Sequence, residues 1–269
     1  MTALAERETD LPASPFDTLA ADYDDSFTST WTGRAMRQAV WRRIDDRFRA
    51  GDTVLDVGCG TGEDAVHLAT RGISVVAIDS SDEMVRAARS KTGRCGIAPL
   101  VTCERLDICN RAAINAMGAP FDGLLSNFGA LNCVPDLDAT AADLAALVRP
   151  GATLMVCVMG PFVPWEWGWF LAHGDARKAI RRLRPGGANW RGARIRYPSV
   201  RTVRAAFSPH CAIRRVWALG AIMPPPFAES WATRHPRFAA KLEKLERRLE
   251  SVSLLPGLAD HFVVEMERR

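Results

Sequence analysis

The stretch that decides the fold is V54LDVGCGTG62, which joins a short apolar segment to three closely spaced glycines. Residues 53–57 have the apolar, β-branched character of a buried strand, and the segment from Glu63 to Ala69 has helical character. A glycine-rich turn between a strand and a helix N-terminus lets backbone N–H groups approach a ligand closely. We therefore predict a ligand-binding strand–turn–helix unit here.

The glycine spacing distinguishes between two kinds of ligand. A dinucleotide fingerprint is G-x-G-x-x-G, but the sixth position counted from Gly58 is Glu63. The stretch is instead D-x-G-x-G-x-G, with Asp56 at the strand end. An acidic side chain at this turn suits a cationic group and repels a pyrophosphate. The spacing therefore disfavours a nicotinamide-dependent dehydrogenase.

This stretch resembles motif I of the class I S-adenosylmethionine-dependent methyltransferases, whose ligand carries a carboxylate, an amine and a sulfonium. A77IDSSDEMVRAAR89 and L147VRPGATLMVCV158 resemble the same family, so the resemblance covers about residues 50–160. It implies S-adenosyl-L-methionine as the cofactor. The motif I residues implied to contact it are Asp56, Gly58, Gly60 and Gly62.

A second acidic residue, Asp79, ends the predicted strand 74–79 and lies 23 positions after Asp56. A carboxylate there accepts hydrogen bonds from two ribose hydroxyls, and a plain helix cap is the alternative. The resemblance places Ser80 and Met84 at the cofactor as well. Tyr23, in the segment before the first strand, either closes over the cofactor or packs on the core.

Two loops at the carboxyl ends of later strands supply further candidates. Asp107 is positioned to accept a hydrogen bond from the adenine amino group, with Ile108 packing on the ring. The alternative is that Asp107 caps the helix that begins at Arg111. Asn127 and Phe128 follow the fourth strand, in the family's motif IV position, and are assigned to the cofactor.

The motif IV loop reads S126NFG129, which departs from the N-P-P-Y or D-P-P-Y signature of DNA-amine methyltransferases. This argues against a nucleic acid and favours a small-molecule acceptor. Asn132 is a candidate substrate contact, with satisfaction of loop backbone groups as the favoured alternative. Histidines are candidates for a general base, and His173 and His261 are the two we consider, although methyl transfer to a reactive nucleophile requires no base.

The alternation of strands and helices from Thr53 onward predicts an α/β fold, a doubly wound, Rossmann-like seven-stranded sheet with helical lid insertions. The expected strands are 53–57, 74–79, 99–104, 121–126, 152–159, 211–219 and 261–266. The expected helices are 34–48, 62–70, 82–91, 110–117, 138–148, 199–207 and 236–251. An insertion between the last two strands leaves their register open, and the arginines of 34–48 are expected in solvent.

The chain divides into an N-terminal helical cap (1–50), a cofactor-binding core (51–159), a lid insertion (160–198) and a C-terminal part of the sheet (199–269) with a helical insertion at 220–257. In the lid, Trp165, Trp167 and Trp169 occupy alternate positions, which on an extended segment project to one face and on a helix spread around it. Trp165 and Trp169 are candidate substrate contacts. The basic stretch 175–184 suits a substrate lid, plain packing or, less favoured, peripheral membrane contact.

Composition sets outer limits. Of 269 residues, 48% are hydrophobic, and the net charge of +4 combines −7 in residues 1–159 with +11 in residues 160–269. The basic half is expected to contact an anionic substrate or a membrane surface. The seven cysteines lack the spacing of a metal site, so no metal is expected. Cysteines without a disulfide pattern also predict a reducing, cytoplasmic location. The first eight residues lack the apolar run of a secretory signal.

The sequence thus predicts an S-adenosylmethionine-dependent methyltransferase acting on a small, hydrophobic or anionic acceptor, by O-, N- or C-methylation. One alternative is a non-catalytic S-adenosylmethionine-binding regulator. Another is a methyltransferase fold reused for decarboxylation or cyclisation. The acceptor and the oligomeric state remain open.

Overall fold

The strand before the glycine turn lies in the middle of a mixed sheet. The computed structural model describes residues 14–118 and 120–269, so the expectation for the first eight residues falls outside it. Seven strands are joined in the order β3-β2-β1-β4-β5-β9-β8, and β9 runs antiparallel to both its neighbours. β6 and β7 form a separate hairpin. The strands are β1 (Thr53–Val57), β2 (Ser74–Asp79), β3 (Val101–Arg105), β4 (Phe121–Ser126), β5 (Val148–Met159), β6 (Ala188–Trp190), β7 (Ala193–Ile195), β8 (Cys211–Leu219) and β9 (His261–Arg268).

Helices cover both faces of this sheet. Neighbouring residues Val54 and Leu55 belong to different buried apolar clusters, because side chains alternate along a strand buried on both sides. Three short helical turns, Asp17–Leu19, Ala20–Tyr23 and Asp24–Thr28, precede the numbered helices. These are α1 (Trp31–Ile44), α2 (Glu63–Thr70), α3 (Asp82–Arg94), α4 (Arg111–Asn115), α5 (Leu137–Ala146), α6 (Pro164–Ala172), α7 (Ala176–Ala179), α8 (Val200–Phe207), α9 (Glu229–Arg234) and α10 (Pro236–Leu249). The architecture confirms the predicted seven-stranded α/β fold.

The register of the last two strands, left open by the sequence, is settled by their pairing. Leu219 pairs with His261 and Cys211 with Arg268, with one irregularity between Ile213 and Arg215. The helical insertion between β8 and β9 therefore leaves the antiparallel pair intact. β5 begins earlier than predicted, at Val148, and its pairing with β4 shifts register after the first pair.

The first insertion decides between the two conformations left open for its tryptophans. The tryptophan segment is a helix, α6, since Pro164 at its start suits the first helical turn. Residues two positions apart on a helix are rotated by about 200°, so Trp165, Trp167 and Trp169 do not share one face. Among the described helices, none combines the length and apolar composition needed to cross a membrane.

Candidate active site

The glycine turn between β1 and α2 is closely packed on one side and open on another. A Cβ on Gly58 would lie 2.3 Å from the Ala130 Cβ, so no side chain fits there. At Gly60 the nearest atom to such a Cβ is a ring carbon of Tyr23, 4.0 Å away. The turn therefore exposes backbone to the space between Gly60 and Tyr23.

Asp79 is fixed beside this turn at the end of β2. Its two carboxylate oxygens accept hydrogen bonds from the Gly60 and Ser81 N–H groups, each at 2.9 Å. Burial raises the pKa of Asp79. A carboxylate offers about four lone-pair sites, so acceptor capacity remains for ligand hydroxyls. Nearby, Met84 is buried, and the Ser80 hydroxyl lies 3.4 Å from that of Ser14.

Asp56 is a buried carboxylate that lacks a partner. It is 1% exposed, and neither oxygen has a hydrogen-bond partner among the described residues. Burial, reinforced by the charge of Asp64, raises the pKa of Asp56 well above its usual range. Such groups are costly unless something pairs with them. The ammonium group of a bound ligand is a partner of the right charge.

A buried arginine lies near Asp56. Asp64, Arg37, Trp41 and Asn127 are joined by hydrogen bonds, and we call these side chains the polar cluster. Arg37 Nη1 lies 2.7 Å from Asp64 Oδ2, and the Trp41 indole and Asn127 amide also donate to that carboxylate. Arg37 Nε has no hydrogen-bond partner among the described residues. The expectation that the arginines of 34–48 lie in solvent is wrong for Arg37. Its free donor suits an anionic group.

The segment that carries Tyr23 is tied to the glycine turn by charged side chains. Asp24 accepts a hydrogen bond from the Thr61 hydroxyl at 2.6 Å. It also forms an ion pair with Lys91, with Nζ 2.7 Å from Oδ2. Lys91 also lies 2.8 Å from Glu63 at the start of α2. Burial raises the pKa of Tyr23, so its phenol stays neutral at pH 7. The cap is thus anchored at the turn through the neighbour of Tyr23.

The loop after β3 overturns the alternative that Asp107 caps the helix beginning at Arg111. Asn110, and not Asp107, caps α4, since its side chain accepts from the Ala113 N–H. Asp107 accepts a local hydrogen bond from the Cys109 N–H at 2.8 Å. Ile108 packs against a buried apolar cluster. The adenine contacts assigned to Asp107 and Ile108 stay predictions.

Phe128, after β4, has an unusual backbone conformation. Its φ of 50° lies in the left-handed region that non-glycine residues rarely adopt. Its ring lies edge-on to Phe27 at 5.0 Å and to His261 at 5.6 Å, and the Arg37 guanidinium lies 4.8 Å from the ring centroid. Strain of this kind persists where surrounding contacts hold it, often at functional sites.

Asn132 serves the loop backbone and not a substrate. It is fully buried, and its Nδ2 donates to the carbonyls of Met159 and Arg196 at 3.0 and 2.6 Å. Its Oδ1 accepts from the Met159 N–H at 2.9 Å. The amide hydrogens and oxygen are therefore already engaged with the backbone, as the alternative that the sequence analysis favoured for Asn132 requires, and neither amide hydrogen is left for a substrate.

The lid tryptophans join the two insertions. The Trp165 indole donates to the Ile222 carbonyl at 3.0 Å, and Trp169 lies 5.9 Å from the ring of Phe227. Both predicted substrate contacts are half-buried against the second insertion. His173 is exposed at the end of α6 and stacks on Trp169. Its exposure makes it a poor candidate for a base in a closed site.

A buried charged chain runs from the lid to β9. Arg182 Nε lies 2.7 Å from Glu166, and another of its nitrogens lies 2.5 Å from Asp260 Oδ1. The other Asp260 oxygen lies 3.0 Å from His261 Nδ1. All four side chains are buried. His261 was a sequence candidate, but its link to Arg182 and Glu166 was not anticipated.

Comparisons with known proteins agree with this geometry. The sequence profile of a family described as "Methyltransferase domain" matches residues 54–151. A demethylmenaquinone methyltransferase of Mycobacterium marinum is 34% identical over 148 residues, which cover 54% of this chain and 58% of that protein. Residues 54–151 therefore form a methyltransferase domain. The chain spans about half the length of the curated relatives it matches.

Solved structures extend the likeness of this chain in fold alone. The [4+2]-cyclase SpnF matches with a TM-score of 0.60 at 16% identity, covering 97% of this chain and 98% of that one. A geranyl diphosphate C-methyltransferase from Streptomyces coelicolor matches with a TM-score of 0.56 at 14% identity, covering 86% and 77%. The fold thus reaches beyond the profile match, into both insertions.

The residues that sequence analysis missed share one property. Arg37, Glu166 and Arg182 are charged side chains that the fold buries against distant partners. In the sequence each stands among other charged or aromatic residues with no distinguishing pattern. Only their pairing in three dimensions separates them from solvated neighbours.

Proposed function

We propose that this protein transfers a methyl group from S-adenosylmethionine to a small acceptor. The observation that carries the proposal is Asp56, a buried carboxylate without a partner, at the end of β1 directly before the glycine turn. The protein keeps this costly group where the family motif binds a cationic ligand. The family assignment supports the same conclusion.

The roles of the chain's residues follow from their chemistry. Asp79 would bind the ribose hydroxyls, since two backbone N–H groups already fix its orientation. Asp107 and Ile108 would hold the adenine. The backbone at Gly60 would approach the ligand, with Tyr23 covering it.

The amino-acid end of the cofactor has two charged groups, and the site offers a partner for each. Asp56 suits the ammonium and Arg37 Nε suits the carboxylate. Bound in this way, the cofactor supplies an electrophilic methyl group on sulfur. The protein's part is to align this group with the acceptor and to exclude water.

We infer that the acceptor is apolar. Phe27 and Phe128 form an aromatic pair beside the polar cluster, and the curated relative named above is a demethylmenaquinone methyltransferase. The S126NFG129 loop gives no support to a nucleic acid. The proposed division places most cofactor contacts in 51–159, with Tyr23 and Arg37 supplied by the cap, and assigns the acceptor chiefly to the two insertions. Seven free cysteines support a cytoplasmic location.

Isothermal calorimetry with S-adenosylmethionine, S-adenosylhomocysteine and NADH tests the cofactor assignment. We expect the first two to bind and NADH not to bind. Replacement of Asp79 by Ala should weaken binding of both sulfur ligands by at least ~10-fold, because two ribose hydrogen bonds to a carboxylate are lost. Asp46→Ala, at an exposed position on the surface, is the matched control.

The outcomes separate the alternatives. No binding of S-adenosylmethionine overturns the proposal. Binding without release of S-adenosylhomocysteine, over a panel of apolar phenols and quinols, favours the regulator or the cyclase. Unchanged affinity in Asp79→Ala removes the ribose role alone.

A further inference from the structure

His261 lies at the carboxyl ends of the parallel strands, where the proposed cofactor site also lies. It begins β9, pairs with Met159 at the end of β5, and its ring meets Phe128 edge-on at 5.6 Å. Val263, two residues on, packs in the same apolar cluster as Val54. Because side chains two apart share a face, His261 and Asp56 lie on one face of the sheet.

The contact with Asp260 fixes the hydrogen on the imidazole. Asp260 Oδ2 lies 3.0 Å from His261 Nδ1, and a carboxylate can only accept, so Nδ1 donates and Nε2 keeps its lone pair. Nε2 forms no hydrogen bond within the described residues. Burial opposes ionisation of Asp260, but the charge of Arg182 and the hydrogen bond from His261 hold its pKa well below its usual range.

The lid holds Asp260 in place. Arg182 contacts one Asp260 oxygen, and its Nη1 donates to the carbonyls of Gly160 and Asp260 at 3.2 and 3.1 Å. On its other edge it pairs with Glu166 of α6 at 2.7 Å. The guanidinium thus uses both edges, and the Asp260 carboxylate cannot rotate away from His261 without breaking these contacts.

We propose that His261 is the general base of this enzyme, that Asp260 and Arg182 position it, and that the acceptor is an apolar molecule with an aromatic hydroxyl. The inference rests on the proposed methyl transfer. A phenolic hydroxyl is a weak nucleophile until its proton is removed. A buried base with a free lone pair at the carboxyl ends of the parallel strands can remove that proton.

The step balances without a further reactant. The acceptor O–H bond breaks and its proton moves to His261 Nε2. The electron pair left on the acceptor forms the new bond to the methyl carbon at oxygen; for transfer to a conjugated ring carbon, the C–H bond of that carbon then also breaks and its proton passes to water, which restores the aromatic ring. The carbon–sulfur bond breaks and its electron pair stays on sulfur, leaving S-adenosylhomocysteine. The Asp260 carboxylate stabilises the imidazolium until its proton passes to water.

4-Nitrophenol tests this inference, because its ionisation changes its visible absorbance. It is titrated into protein saturated with S-adenosylhomocysteine, so that no methyl group is transferred. We expect the bound probe to ionise at a pH at least about one unit lower in the wild type than in His261→Asn, since the imidazolium stabilises the phenolate. Asp260→Asn should lose part of this shift, and Asp260→Glu should restore some of it.

His210→Gln is the matched control. His210 precedes β8 at the far end of the strands from His261, so this substitution should leave the shift unchanged. Binding of S-adenosylhomocysteine to each variant shows that it is folded. Failure of that binding in the wild type would count against the proposed function. Normal cofactor binding with equal probe ionisation in wild type and His261→Asn, or with no probe binding at all, overturns the base and the acceptor class.

Discussion

At the residue scale, the site contains groups that cost stability. Asp56 has no partner among the described residues, and Phe128 holds a left-handed backbone. Both lie at the ends of central strands, β1 and β4. Such strain is typical of positions whose conformation serves a ligand and not the fold.

Replacing Asp56 with Asn should stabilise the ligand-free protein. The folded pKa of Asp56 is raised above its unfolded value of about 3.9, so ionisation at neutral pH favours unfolding. We expect Asp56→Asn to raise the free energy of unfolding by about 1–3 kcal/mol at pH 7. The gain should shrink as the pH falls toward about 4.

Urea unfolding at several pH values measures this effect. Asp46→Asn, an exposed aspartate, is the control and should change stability by less than about 0.5 kcal/mol. A wild type as stable as Asp56→Asn at pH 7 would contradict the prediction.

Gly62 allows α2 and α3 to approach closely. A Cβ on Gly62 would lie 2.8 Å from the Ala88 Cβ, whereas one on Gly96 would meet nothing within 4 Å. Both glycines have positive φ, 82° and 71°, so both alanine variants carry the same backbone strain. We expect Gly62→Ala to lose about 2 kcal/mol more than Gly96→Ala in chemical unfolding, because only Gly62→Ala adds a clash. Equal losses would rule out the packing explanation.

At the element scale, α10 anchors the second insertion through one side chain. Glu246, buried on this helix, accepts four backbone N–H hydrogen bonds between 2.6 and 3.0 Å. The donors are consecutive, from Gly220 to Met223, in the chain leaving β8. The loop therefore owes its conformation to a side chain more than twenty residues away in the sequence.

Removing this carboxylate should loosen the insertion. Glu246→Ala leaves four buried or half-buried donors without their acceptor, and we expect a loss of about 3–5 kcal/mol in the free energy of unfolding. Glu243→Ala on the same helix is the control, expected within about 0.5 kcal/mol of the wild type. Hydrogen exchange should show faster exchange at 220–223 in Glu246→Ala alone. Protection equal to the wild type there would contradict the anchoring role.

At the scale of the whole molecule, the proposed ligand site is formed by the core, the cap and the insertions together. A ligand bound there at 100 times its Kd stabilises a protein by about 2.7 kcal/mol. For a chain of this size we expect S-adenosylhomocysteine to raise Tm by about 5–10 °C. Differential scanning calorimetry measures the shift. NADH at the same concentration should give none, and a wild type with no shift at saturating S-adenosylhomocysteine would contradict the prediction.

The sequence predicted elements best where the signal was local. The bounds of β1, β2 and β4 match the expectation, because each is a short apolar run ended by glycine or polar residues. The conformation of the tryptophan segment stayed open, since alternate spacing of three residues occurs by chance on a helix as well. Asn132 was correctly weighed as a loop residue but could not be placed until its partners, Met159 and Arg196, were known.

The sequence by itself determined the sheet, the glycine turn and the kind of ligand that the turn favours. These depend on spacing within about thirty residues, where strand, turn and helix preferences act locally. Tertiary structure alone decided that Arg37 joins the polar cluster and that Glu166 and Arg182 hold Asp260 beside His261. The physical reason is that the burial and pairing of a charge depend on residues far apart in the chain, which no local pattern specifies.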